Sequence, residues 1–282
     1  MFEFRKVQQI LSAKPTLEGA GVFLKRAFGY HEVPLFDPFL LLDDFGSNNP
    51  KDYLLGFPWH PHRGIETVTY MLSGSVKHED SLGNKGEIES GDLQWMNAGS
   101  GIIHQEMPQN FKGKLRGFQL WVNLPSSHKM SKPGYQEIKS SEIPQIQWSD
   151  GVNIKIIAGK VKGETGPVKD IMVNPLYLDI SMKPKRILEL PICAKDTVFA
   201  YLIEGQGYFD EFGRQEVFEN QLVLFEHGNR IMIQSDEIDI RFLLVGGTPL
   251  RETIAWAGPI VMNTQNEIEL AFREYEEGTF IK

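Results

Sequence analysis

Two short blocks of the sequence carry metal-ligating side chains at alternate positions. His60 and His62 are separated by a proline, and His104 and Glu106 are separated by a glutamine. On a β-strand, residues i and i+2 face the same side about 6.6–7 Å apart, so both side chains of a pair can reach one ion. Three imidazoles and a carboxylate suit Fe, Mn, Ni, Cu or Zn, whereas Ca and Mg prefer mostly oxygen ligands. The pattern therefore predicts a single mononuclear metal site.

The carboxylate ligand has two candidates on spacing alone. Glu66 lies four positions after His62, which keeps it on the same face of a regular strand. Spacing therefore leaves Glu66 and Glu106 as alternatives for the carboxylate ligand.

Pro61 restricts His60 to extended backbone and indicates a strand edge or the first residue of a strand.

These side chains must be positioned by β-structure, because short apolar runs separated by Gly, Asn, Asp and Pro turns dominate the chain. Such spacing is typical of a β-sandwich or barrel. The clearest predicted strands are Glu66–Leu72, Gly117–Asn123, Val152–Ala158, Leu176–Met182, Val198–Ile203, Gln221–Phe225 and Ile238–Val245.

Helix is scarce in the sequence. The best candidate is Glu267–Tyr275, with Thr264 as N-cap and Glu267 three residues later as its capping-box partner. Gly278 is the expected stop. We predict an all-β chain with few short helices.

A weak internal repeat of about 130 residues divides the chain. Tyr70–Gly74 is similar to Tyr201–Gly205, and Ser90–Gln94 is similar to Glu219–Val223. The repeat predicts two related β domains.

A segment rich in Pro and Ser, Leu124–Ile146, reads as a linker between these halves. We place the N-terminal metal-binding barrel at residues 1–134 and the C-terminal barrel, with the terminal helix, at residues 135–282. The second half contains a single histidine, His227, so it cannot build the same site and is expected to be degenerate and structural.

Composition restricts the partners and the compartment. The net charge of −8 argues against direct binding to nucleic acid, because phosphate contacts need clustered Lys and Arg. Cys193 is the single cysteine, so no intrachain disulfide can form and a reducing compartment is expected. The N-terminus lacks the apolar stretch of a signal peptide, and no window approaches the roughly 18 apolar residues of a membrane span. We expect a cytoplasmic protein without a membrane partner.

The amino-acid sequences of several stretches resemble those of the pirin family, from about residue 18 to about residue 280. The two histidine blocks also resemble the metal motifs of the wider cupin superfamily, in which Glu66 would be the fourth ligand. The pirin-like stretches are Asp37–Leu41, His60–Gly64, Glu66–Tyr70, Gly91–Met96, His104–Pro108, Gln119–Leu124, Pro249–Glu252 and Gly258–Thr264.

The pirin resemblance implies a bicupin, that is, two jelly-roll β-barrels in one chain. It implies that the ligands are His60, His62, His104 and Glu106. Glu66 is then expected either to pair with a nearby cation such as Arg63 or to support the ligands without binding the metal. The implied cofactor is one divalent transition metal, with Fe expected first and Mn, Ni, Cu, Zn or Co as alternatives.

The resemblance also implies quercetin 2,3-dioxygenase-type activity on a flavonol and O2, with Glu106 as the general base. The alternative that it implies is a non-catalytic metal- or redox-sensing regulator that binds transcription factors or metabolic enzymes.

We expect the substrate pocket to include Phe57, Met71 and Gln119. The remaining histidines are expected at the surface or in turns, namely His31, His78 and His128. Further candidates for the pocket wall are Trp59, Trp95, Trp121 and Asp44.

Overall fold

The computed structural model describes residues 3–282, which form 26 β-strands and two α-helices. The first twelve strands are Val7–Ser12 (β1), Lys14–Glu18 (β2), Val22–Phe28 (β3), Phe39–Phe45 (β4), Phe57–His62 (β5), Ile65–Ser73 (β6), Val76–Asp80 (β7), Lys85–Ile88 (β8), Leu93–Asn97 (β9), Ile102–Pro108 (β10), Arg116–Asn123 (β11) and Gly134–Ile138 (β12). The remaining strands are Gln145–Ser149 (β13), Val152–Ala158 (β14), Lys160–Val161 (β15), Glu164–Thr165 (β16), Leu176–Met182 (β17), Ile187–Pro191 (β18), Thr197–Glu204 (β19), Gln206–Tyr208 (β20), Glu216–Phe218 (β21), Gln221–Phe225 (β22), Arg230–Ser235 (β23), Ile240–Gly247 (β24), Ala255–Ala257 (β25) and Ile260–Met262 (β26). The helices are Val33–Phe36 (α1) and Gln265–Glu276 (α2). Among the described helices, none is both long enough and apolar enough to cross a membrane.

The chain divides into two compact units. The first, here called the histidine unit, comprises Pro15–Ser140 and Leu250–Lys282. The second, here called the apolar unit, comprises Ser141–Pro249 and the described residues up to Lys14.

The histidine unit contains a seven-stranded and a four-stranded sheet. The strand orders are β12-β9-β6-β11-β4-β3-β2 and β5-β10-β7-β8. Burial alternates along β10, so that Ile102, His104, Glu106 and Pro108 point inward. The interior of this unit therefore receives polar side chains from a regular strand.

The apolar unit repeats the same arrangement, with orders β1-β22-β19-β24-β17-β14-β13 and β18-β23-β20-β21. The two similar sequence segments, Tyr70–Gly74 and Tyr201–Gly205, end β6 and β19, which hold equivalent positions in the two large sheets. Aliphatic and phenylalanine side chains fill the interior of the apolar unit. The all-β fold class predicted from the sequence is confirmed.

Local signals were accurate for the terminal helix. The Thr264 side chain accepts a hydrogen bond from the backbone N–H of Glu267, and the Glu267 carboxylate accepts from the backbone N–H of Thr264 at 2.8 Å. The helix ends next to Gly278, whose φ of +71° is the left-handed conformation that glycine adopts easily.

The unit boundaries differ from the predicted division at three places. The expected linker is partly sheet, because β12 pairs with β9 in the large sheet of the histidine unit. Strand β1 belongs to the apolar unit, where it pairs with β22. Helix α2 belongs to the histidine unit rather than to residues 135–282, because Ile268 and Ala271 are buried against Ile260, Met262 and Phe280. Long-range pairing of both chain ends, which no local pattern records, is the reason.

Candidate metal centre

Strands β5 and β10 bring three imidazoles together. The strands are antiparallel, with His104 directly opposite His60 and Ile102 opposite His62. The ligating nitrogens of the three rings all lie within 4.8 Å of one another. Strand β5 is the edge of its sheet, as Pro61 predicted.

Hydrogen bonds determine which nitrogen of two rings carries the proton. The Nδ1–H of His60 donates to the carbonyl of Pro58 at 2.8 Å, and the Nδ1–H of His62 donates to the carbonyl of Pro259 at 3.1 Å. Because a carbonyl can only accept, each neutral ring keeps a lone pair on Nε2. These two Nε2 atoms lie 3.1 Å apart. When both rings are neutral, their Nε2 lone pairs face each other and repel, and a cation between them, either a proton or a metal ion, removes the repulsion.

The third imidazole is equally ready to ligate. His104 is buried, and neither of its ring nitrogens has a hydrogen-bond partner among residues 3–282. Burial, reinforced by the neighbouring histidines, lowers the pKa of His62 and His104 well below the usual value, so both rings are neutral. Neutral imidazole is the ligating form, and metal–nitrogen bonds of about 2.0–2.1 Å allow two nitrogens 3.1 Å apart to bind one ion. These residues fit a transition-metal ion.

Glu106 lies beside the histidine cluster, two residues after His104. A register shift of the ladder with β5 falls between the two residues. The Oε1 atom of Glu106 accepts from the Thr69 hydroxyl at 3.0 Å, and Gln119 Nε2 donates to Oε2 at 3.1 Å. The carboxylate is thus oriented by two polar side chains at the cavity that His60 and His62 also line. The ligating atoms that lie within 4.8 Å of one another belong to the three histidines, so the role of Glu106 as fourth ligand stays a prediction.

Glu66 occupies a different environment. It is buried on β6, opposite Val122, and is not among the described residues that line the cavity. Burial raises the pKa of Glu66 to about 7, although the neighbouring indole of Trp95 opposes the shift. The expected pairing with Arg63 is wrong, because Arg63 Nη1 bonds the Glu274 carboxylate at 2.7 Å and Nη2 donates to the Phe280 carbonyl at 2.8 Å.

A buried ammonium secures the turn that follows His62. Lys129 Nζ donates to the carbonyl of Gly64 at 2.8 Å, to that of Val261 at 2.9 Å, and to the Asn123 side chain. Burial lowers the pKa of Lys129 to about 7. Gly64 has a φ of +77°, and a Cβ there would lie 2.0 Å from the Val261 carbonyl oxygen, so only glycine fits the turn. The segment after β25, which supplies the Pro259 carbonyl, is therefore tied to the histidine block.

The histidines open into a cavity of about 740 Å³. The predicted pocket residues Phe57 and Gln119 line it, as do Trp59 and Trp121. Trp121 also packs edge-on against His62, with ring centroids 5.1 Å apart.

Three predicted pocket residues lie elsewhere. Met71 is fully buried and packs in the apolar core with Phe45 and Leu115 instead of lining the cavity. Trp95 is also outside the described lining, and Asp44 forms an ion pair with Arg116 at 2.7 Å. Asp43 and Asp44 are consecutive on β4, and consecutive side chains of a strand face opposite sides. Because Asp43 faces the cavity, Asp44 faces away from it.

His78 also differs from the expectation of a surface histidine. It is buried on β7, opposite Glu106, and its Nε2 lies 2.8 Å from a carboxylate oxygen of Glu137. Because β7 pairs with β10 and His78 lies opposite the inward-facing Glu106, the His78 side chain also points inward.

Sequence reasoning missed parts of the cavity that come from distant segments. Tyr30, Trp256 and Pro259 line the cavity, as do Arg26 and Asp43. The stretch containing Pro259 had been singled out by resemblance, but no spacing rule linked it to His62.

Comparison with known proteins agrees with this architecture. Residues 21–122 match the Pirin family and residues 177–281 match the Pirin C-terminal cupin domain. A pirin-like protein of Caulobacter vibrioides is 41% identical over 98% of this chain and 99% of its own length. A protein of Pseudomonas aeruginosa named "Putative quercetin 2,3-dioxygenase" is 40% identical over 99% of both chains.

Solved structures give the same picture. The crystal structure of a quercetin 2,3-dioxygenase from Acinetobacter baumannii matches with a TM-score of 0.92 and 31% identity, covering 99% of both chains. A bacterial pirin from Escherichia coli, solved in complex with nickel(II), matches with a TM-score of 0.65 and 20% identity over 88% of this chain and 99% of its own, which shows the shared fold.

Two cupin-type units, one of which contains a histidine cluster that could hold a metal ion, define a bicupin. Both family matches and the full-length relatives make the assignment specific: the chain belongs to the pirin family.

Proposed function

We propose that this protein is a metal-dependent dioxygenase that cleaves flavonols such as quercetin with O2. In this proposal His60, His62, His104 and Glu106 bind one divalent transition metal, with Fe expected first. The observation that carries the proposal is the pair of imidazole Nε2 atoms, of His60 and His62, that lie 3.1 Å apart at the wall of an aromatic-lined cavity. The quercetin dioxygenase names of the relatives support the choice of substrate class.

The cavity has the size and walls expected of a site for a small aromatic molecule. Its volume of about 740 Å³ falls within the range of small-molecule pockets, roughly 300–1,000 Å³. Phe57, Trp59, Trp121 and Trp256 offer ring faces and edges to a planar substrate.

A redox-capable ion bound by these residues supplies Lewis acidity and an open position for the substrate oxygen and O2. Glu106 is the proposed general base, which takes the proton of the flavonol 3-hydroxyl. Gln119 and Thr69 hold its carboxylate in place through their hydrogen bonds. The carbonyls of Pro58 and Pro259 keep the His60 and His62 rings in the tautomer whose Nε2 can ligate.

Oxygen consumption and carbon monoxide release after addition of quercetin test the proposal. The protein is loaded separately with Fe, Mn or Ni, and each sample is compared with the same concentration of free metal. We expect turnover above free metal for at least one ion and its loss in Glu106→Gln. If no loaded form exceeds free metal, the enzyme proposal fails and the regulatory alternative becomes the better explanation of a retained metal site.

The identity of the metal needs a separate measurement. Imidazole and carboxylate accept several first-row ions, so supply in the cell influences which one is bound. Nickel in the related bacterial pirin makes Ni the first alternative to Fe. Metal analysis of protein purified from its native source, with anomalous scattering at the site, would identify the ion.

A further inference from the structure

The cavity contains a second polar cluster, here called the distal cluster, formed by Glu18, Arg26 and Asp43. Arg26 Nε and Nη2 bond both oxygens of Asp43 at 2.9 and 2.8 Å. Arg26 Nη1 lies 2.9 Å from a carboxylate oxygen of Glu18. All three residues line the cavity, and Asp43 is buried while Glu18 is 41% exposed at the rim.

Strand order gives the distance of the distal cluster from Gln119, the residue that bonds Glu106. Gln119, which bonds Glu106, is directly opposite Asp43 across β11 and β4. Asp43 is in turn directly opposite Arg26 across β4 and β3. Neighbouring strands are about 4.8 Å apart, so the cluster begins about 5 Å from Gln119 and extends to about 10 Å. One planar molecule of two or three rings could contact both places.

The apolar unit shows that the fold does not require polar side chains at the positions of Arg26, Asp43 and Gln119. An ion pair is common to both units, since Arg116 with Asp44 has its counterpart in Arg241 with Asp179 at equivalent strand positions. At the cross-strand positions next to this ion pair, the two units carry different side chains. The cross-strand row Arg26–Asp43–Gln119 corresponds to the row Ile156–Leu178–Leu244 of the apolar unit.

The three apolar counterparts are fully buried in a hydrophobic core. An ordinary barrel interior thus uses these positions for packing, whereas the histidine unit exposes charged groups to the cavity there. Desolvation makes buried charge costly, and burial raises the pKa of Asp43 to about 6 despite the Arg26 ion pair. Charged groups that are kept at a cavity wall despite this desolvation cost are typical of a binding site.

We propose that Glu18, Arg26 and Asp43 form a subsite that binds a hydroxyl group on the ring of an aromatic substrate remote from the metal. This proposal rests on the proposed function and names its preferred substrates: polyhydroxylated aromatic chelators without a carboxylate group. The hydroxyl donates to a carboxylate of the cluster and accepts from the guanidinium of Arg26. A substrate carboxylate would compete with Glu18 and Asp43 for Arg26, and it would meet three carboxyl groups in the cavity, Glu106 included, against this one guanidinium.

Three flavonols that share the metal-chelating edge provide the test. Galangin has no hydroxyl on the remote ring, kaempferol has one, and quercetin has two. Binding is measured under nitrogen on the full-length Ni-loaded protein by quenching of tryptophan fluorescence, since Trp59, Trp121 and Trp256 line the cavity. Kaempferol against galangin is the decisive pair, because neither has a catechol that could bind metal by itself.

We expect kaempferol to bind on the order of tenfold more tightly than galangin, because its hydroxyl gains a hydrogen bond to a charged group. Glu18→Gln and Asp43→Asn should reduce this ratio towards one, mainly by weakening kaempferol binding. Glu89→Gln, a change of an exposed carboxylate outside the described cavity lining, should leave the ratio unchanged.

Equal binding of galangin and kaempferol by the wild type would overturn the subsite and leave the proposed function intact. A tenfold ratio that survives both Glu18→Gln and Asp43→Asn would also overturn it, because the hydroxyl would then be bound elsewhere. Failure of all three flavonols to bind would contradict the proposed function itself, and the subsite with it.

Discussion

Replacement of His104 by leucine separates the stability of the barrel from metal binding. In the metal-free protein both ring nitrogens of His104 are buried without a partner among the described residues, which costs about 1–3 kcal/mol for each group. Leucine has a similar volume and no polar atom, and a volume-conserving change in a core costs less than about 1.5 kcal/mol. Metal-free His104→Leu should therefore be at least as stable as the metal-free wild type.

The effect on the metal-loaded protein should be opposite in sign. An ion present at about a thousand times its dissociation constant stabilises the wild type by about 4 kcal/mol. For a unit of this size that corresponds to a rise in Tm of about 8–16 °C. His104→Leu removes one of three imidazole ligands, so the rise should fall below about 2 °C and the metal content should drop to background.

Thermal unfolding with and without chelator, combined with elemental analysis, measures both effects. His227→Leu is the matched control, because His227 is exposed in the apolar unit and its loss should leave metal content unchanged. A full metal-induced rise in Tm in His104→Leu would contradict the prediction for the metal. A metal-free variant about 3 kcal/mol less stable than the metal-free wild type would contradict the prediction for the core.

Three further predictions concern single side chains near the site. Glu66→Gln should keep its metal. Because burial raises the pKa of Glu66 from 4.5 to about 7, the folded wild type binds more protons than the unfolded chain, and it should lose about 3 kcal/mol of stability relative to the variant as pH rises from 4.5 through 7. Lys129→Met should show the reverse slope. Its folded-state pKa of about 7 lies below the usual 10.5, so the unfolded chain binds more protons and the wild type should gain about 3 kcal/mol relative to the variant between pH 7 and 9.5. Urea unfolding at a series of pH values measures both slopes. Gln119→Leu should keep its metal but lower kcat on the order of tenfold, because Glu106 loses the amide that orients its carboxylate. Steady-state oxygen uptake and metal analysis of the same samples measure this.

Each of these predictions has a clear contrary outcome. Loss of metal from Glu66→Gln would make Glu66 the fourth ligand in place of Glu106. A difference in stability that does not change with pH would show that Glu66 or Lys129 keeps its ordinary pKa in the folded protein. Unchanged kcat in Gln119→Leu would show that the Glu106 carboxylate needs no positioning by the amide.

Much of the architecture was predictable because it depends on local patterns. Strands Val152–Ala158, Leu176–Met182 and Gln221–Phe225 have the bounds that their apolar runs indicated. The capping box of Thr264 and Glu267 predicted the start of α2 for the same reason, since its partners are three residues apart. The alternate spacing of His60 and His62 sufficed to place both rings on one side of a strand.

Strand partners and register were decided only by the tertiary structure. The sequence could place His104 on a strand, but the antiparallel pairing of β10 with β5 sets it opposite His60. Likewise, pairing with β10 turns His78 inward.

Residue type and two-residue spacing indicated the three histidines with which the sequence analysis began, whereas spacing left Glu66 and Glu106 as alternatives for the carboxylate. The tertiary structure decided what surrounds the histidines: the Pro259 carbonyl on His62, the distal cluster in the cavity, and Met71 in the core. The physical reason is range. A strand's alternation is set by its own backbone, whereas the groups that orient a ring or line a cavity arrive from segments up to about two hundred residues away, and hydrophobic burial rather than any local signal brings them together.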